Sequence, residues 1–63
     1  MKILTQYIYE KTWQVTSETD ALRMIEEEIG DVDPRGTWNY VKKEIEKGKT
    51  IMVGECRFKG DKK

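Results

Sequence analysis

Ile3-Leu4-Thr5-Gln6-Tyr7-Ile8-Tyr9-Glu10-Lys11-Thr12-Trp13-Gln14-Val15 is the stretch on which the fold turns. In an extended chain Ile3, Thr5, Tyr7, Tyr9, Lys11, Trp13 and Val15 share one side, and Leu4, Gln6, Ile8, Glu10, Thr12 and Gln14 share the other. β-Branched and aromatic residues dominate the first set, which predicts a strand with its aromatic side inward. No Gly, Pro or Asn interrupts the stretch, so the usual hairpin signal is missing. It therefore reads as one long strand, with a bend near Glu10-Lys11-Thr12 as the alternative.

Helices follow. Ser17 is a natural N-cap, and Asp20 three residues on resembles the acid of a capping box. Ala21, Leu22, Ile25 and Ile29 recur at helical spacing, and Gly30 supplies a left-handed terminator. Asp31-Val32-Asp33-Pro34-Arg35-Gly36 reads as a connection. The next helix starts either at Pro34 with Asp33 as its cap, or after Gly36 with Thr37 as its cap. Trp38, Val41 and Ile45 form its apolar stripe, and Lys47-Gly48 ends it.

Thr50 to Phe58 reads as a second strand. Ile51, Met52 and Val53 are consecutive and apolar, and beyond them Cys56 and Phe58 alternate with Glu55 and Arg57. The expectation is a single α+β domain over residues 1–59, of order β-α-α-β. Its strands are antiparallel and two helices cover one face. Residues 60–63 form a disordered tail.

The chain has 63 residues, 37 % hydrophobic and 38 % charged, enough apolar material for one thin core. Twelve basic and twelve acidic side chains cancel, but unevenly along the chain: residues 1–32 carry −4 and residues 33–63 carry +4. Zero net charge argues against a polybasic nucleic-acid binder. The apolar runs are far shorter than the roughly 18 residues of a membrane span. Residues 1–6 do not read as a secretory signal, and a cytoplasmic location is the expectation. One cysteine and no histidine leave no disulfide scaffold and no structural zinc site, so no metal and no cofactor are expected.

The candidate sites are few. Asp31 to Gly36 resembles the start of a calcium loop, but Arg35 and Lys42 stand at its fifth and twelfth positions, where ligands are needed. Cys56 lacks a base and is expected as a buried strand residue. Tyr7, Tyr9 and Trp13 could form a base-stacking platform, but so small a core needs their rings inside. Glu26, Glu27 and Glu28 are a candidate acidic docking face. Tyr40 lies opposite the Trp38 stripe with Lys43 and Lys47, and Lys49, Arg57 and Lys59 would extend this basic, aromatic face toward a protein or nucleic-acid partner.

These residues specify a shape more firmly than an activity. The expected function is a small cytosolic protein-interaction or regulatory module without catalysis. It would bind a protein not identified by the sequence, and size alone suits an accessory protein of a phage or mobile element. Nucleic-acid binding through Tyr40, Lys43, Lys47 and Lys49 is the alternative. A homodimer through the first strand would protect the edges of a two-stranded sheet. The helix phase itself is testable. Removing a buried tryptophan costs about 3–5 kcal/mol, much of a small domain's stability. Circular dichroism should find Trp38→Ala largely unfolded and Tyr40→Ala folded; equal stability would refute the phase.

Overall fold

The computed structural model of the chain describes residues 2–61. Its first stretch folds back on itself. β1 (Lys2–Tyr7) and β2 (Gln14–Thr16) pair antiparallel, with Leu4 opposite Val15 and Thr5 opposite Gln14. The loop between them has no glycine, proline or asparagine. Glu10 closes it instead: its Oε1 accepts the Tyr7 N–H at 2.9 Å, while its own N–H donates to the Tyr7 carbonyl at 2.9 Å. A side chain thus takes the place of a ladder acceptor, which is why turn chemistry does not announce this hairpin.

The loop also inverts the alternation. Val15 pairs with Leu4, so it shares the side of the even-numbered residues of β1. This corrects the long first strand and its interior aromatic stripe. Tyr7 is half-buried against the core, Tyr9 is 74 % exposed and stacked on Tyr7, and Trp13 lies on the opposite side of the sheet beneath Lys59.

The expected second strand is likewise two. β3 (Ile51–Val53) and β4 (Cys56–Asp61) are joined by Gly54-Glu55, with Val53 opposite Cys56. Gly54 supplies φ +58°, the left-handed conformation that two-residue hairpin turns favour. Gly60 and Asp61, expected in the tail, belong to β4; Lys62 and Lys63 lie outside the described residues. β4 pairs with β1 from Lys2 opposite Asp61 to Tyr7 opposite Cys56, giving an antiparallel sheet of order β2-β1-β4-β3. Both edges of β1 are therefore occupied within one chain, and pairing this strand with a copy is closed off.

α1 (Glu18–Ile29) starts as expected at Ser17, whose hydroxyl accepts the Asp20 N–H at 3.1 Å, and stops at Gly30. α2 (Pro34–Glu46) takes the first of its two alternatives: Asp33 caps it by accepting the Gly36 N–H at 3.1 Å. Both helices cover one face of the sheet. Trp38, Val41 and Ile45 of α2 and Ala21 and Ile25 of α1 are buried against Ile3, Val53, Cys56 and Phe58, with the rings of Trp38 and Phe58 6.3 Å apart. Leu22 and Ile29 pack at the margin of this core. Met52 does not join it, because strand alternation turns it to the other face.

α1 also anchors the second hairpin. Glu28 Oε1 accepts the Glu55 N–H at 2.6 Å, and a Cβ on Gly54 would strike that carboxylate. Gly48 has a similarly left-handed φ, but a Cβ there meets nothing within 4 Å. Gly48→Ala should therefore lose only the left-handed backbone term, about 1–2 kcal/mol. Gly54→Ala should lose about 1 kcal/mol more, for the displaced hydrogen bond. In urea denaturation, adding Glu28→Ala to Gly54→Ala should cost little further, whereas full additivity would deny the coupling.

Candidate functional site

Helices cover only one face of the sheet. On the other, alternation places Leu4 and Gln6 of β1, Val15 of β2, Met52 of β3, and Arg57 and Lys59 of β4. Val15 is 69 % and Met52 59 % exposed, flanking half-buried Leu4 and buried Gln6. Lys2 and Asp61 stand opposite each other in the register at one end of this face.

The two central cations are held by neutral groups. Arg57 Nη1 donates to Gln6 Oε1 at 3.0 Å. Lys59 Nζ sits 4.3 Å from the centroid of the Trp13 ring, a cation–π contact. Among the described residues neither has a carboxylate partner within ion-pair distance. The helix layer differs. Lys42 pairs with Glu18 at 3.3 Å, and Glu44 receives both Lys47 at 3.1 Å and Lys49 at 3.3 Å. Hydrogen bonds from Lys47, then Lys49, hold the Glu44 carboxyl below its ordinary pKa.

The sequence-derived candidates disperse. Tyr40 and Lys43 are exposed on α2 as expected, but Lys47 and Lys49 turn to Glu44, so an anion shares the basic face. Arg57 and Lys59 do not extend it, because they lie across the sheet from the helices. Glu26, Glu27 and Glu28, about 100° apart around α1, form no common face. Glu26 is exposed, Glu28 binds the second hairpin, and Glu27 lines an open cleft of about 410 Å³ between α1 and the first hairpin. Tyr7, Glu10, Asp20 and Arg23 line the same cleft. The Thr5 and Thr16 hydroxyls there satisfy each other at 2.7 Å, and Arg23 reaches Asp20 at 3.8 Å.

Sequence reasoning missed the sheet face as a unit. The alternation of Arg57 and Lys59 with Cys56 and Phe58 was its visible half; the inversion that brings Trp13 and Val15 to the same side was not visible. Among the described residues no group of three or more His, Cys, Asp or Glu could hold a metal ion, and no helix is long and apolar enough to cross a membrane. Comparisons with protein-family models, curated proteins and solved structures found no match.

Cys56 is fully buried, and burial, with Glu28 adding to it, pushes its thiol from an ordinary 9.0 up to about 11. It therefore remains a thiol near neutrality. Native protein at pH 8 should react with a disulfide reagent only as fast as it opens, and at once in denaturant. The unfolded chain releases this proton first, so the thiol's contribution to stability is complete below pH 9 and is lost as pH rises toward 11. Cys56→Ala should flatten that alkaline decline in urea midpoints; an unchanged decline would refute the assignment.

Proposed function

We propose that this chain is a non-catalytic, cytoplasmic interaction module that holds a protein partner against the helix-free face of its sheet. The supporting observation is the composition of that face. Exposed Val15 stands opposite Leu4 and exposed Met52 opposite Arg57, and the charges of Arg57 and Lys59 meet an amide oxygen and an indole ring. Exposed apolar side chains interleaved with ordered cations on one face suit side-chain recognition. A buried, unreactive Cys56 and the lack of histidine weigh against catalysis.

Nucleic-acid binding by Tyr40, Lys43, Lys47 and Lys49 ranks below this reading, because Glu44 offsets the field of the last two lysines. Such binding would weaken with salt at a log–log slope near −0.7 for each phosphate contact on a single strand.

A photo-reactive benzoylphenylalanine placed at Met52, at Tyr40 or at Glu26 tests the reading in cells that natively contain the protein. Position 52 should give one discrete protein adduct, and positions 40 and 26 none. An adduct at 40 with none at 52 would move the interface to α2.

A further inference from the structure

Resting on that reading, we infer that the partner's contacting element is a short acidic segment with aliphatic side chains, about one helix wide, whose carboxylates meet Arg57 and Lys59. Size is the first argument. Four strands set about 4.8 Å apart span about 14 Å, and the six-residue central strands run about 20 Å. The face is therefore wide enough for one helix, about 10–12 Å across.

Charge is the second argument. A partner that covers Leu4, Val15 and Met52 also takes Arg57 and Lys59 out of water. Leaving those charges unpaired would be costly, so the partner must supply anions. Gln6 occupies one N–H of the Arg57 guanidinium and holds its plane, while the remaining donors keep their capacity for a carboxylate. Arg57 and Lys59 are two residues apart on one strand, about 7 Å. Acidic side chains one helical turn apart have Cβ atoms about 5–6 Å apart and can meet both cations.

The same observations weigh against other occupants. A second copy docking face to face would offer one carboxylate, Asp61 at the end of the face, to the two central cations. A single-stranded nucleic acid gains much of its affinity by stacking bases on aromatic rings. Lys59 occupies one face of the Trp13 ring, and Leu4, Val15 and Met52 carry no ring.

The test is a display selection of random 16-residue peptides on the immobilised full chain, with the bound site mapped by amide chemical shifts. Enriched peptides should combine Glu or Asp with Leu, Ile or Val, and should shift residues 4, 6, 15, 52, 57 and 59. The Arg57→Gln, Lys59→Gln double variant should bind them about tenfold more weakly or worse, with the amide shifts of α1 and α2 unchanged. Replacing the peptide's own Glu by Gln should give the same loss without touching the protein. Neutral or basic peptides on this face would overturn the acidic partner but leave the sheet-face reading standing. Peptides that map elsewhere would overturn both. No enrichment, or displacement of the peptide by a ten-residue oligothymidine shifting the same residues, would also overturn the inference.

Discussion

The hydrogen bond from the Tyr7 amide to the Glu10 carboxylate governs more of this molecule than its size suggests. It ends β1 where another backbone acceptor would have prolonged it, and it lets a loop without glycine reverse the chain. The reversal changes which residues share a side. Val15 and Trp13 are carried away from the helices, while Gln14 and Thr16 turn toward them. The core then closes with smaller side chains than the aromatic stripe would have supplied. Ile3 and Thr5 fill the β1 positions, and the Thr5 hydroxyl is satisfied by Thr16. The bare face acquires its one indole through the same loop.

How legible this was depended on the kind of signal. Helix boundaries follow from backbone groups that need partners, and Ser17, Asp33 with Pro34, and Gly30 state those needs locally. The burial of Trp38, Val41 and Ile45 follows from 3.6-residue periodicity and needed nothing from the rest of the chain. Strand alternation is less forgiving. It has period two, so one unrecognised loop reverses every later assignment, as happened at Tyr9 and Trp13. Gly54-Glu55 was a signal of the ordinary kind, obscured by the apolar run before it. The candidate site was legible in pieces: Arg57 was placed opposite Cys56, but no local rule joins it to Met52 and Val15.

Charge is sorted by layer. On the helical side cations and anions sit together at the surface, where exposed pairs contribute little individually and salt screens them. On the sheet side Arg57 and Lys59 are ordered by neutral groups. The −4 and +4 halves of the chain therefore do not simply cancel by packing. Part of the excess positive charge of the second half is held on a surface that the acidic first helix does not reach.

The two outer strands, Gln14–Thr16 and Ile51–Val53, have three residues each. An incoming chain that tried to lengthen the sheet sideways would find only about 10 Å of ladder on either flank. That limits runaway strand addition, the route by which many small β-containing proteins aggregate. On the proposed reading it also directs selectivity. Backbone ladders accept almost any extended sequence, whereas a surface read through an indole, a thioether and a guanidinium discriminates among side chains. Short flanks thus restrict edge-to-edge addition, and the proposed sheet-face reading makes recognition depend on residues that single substitutions can retune, without disturbing the layer that keeps the domain folded.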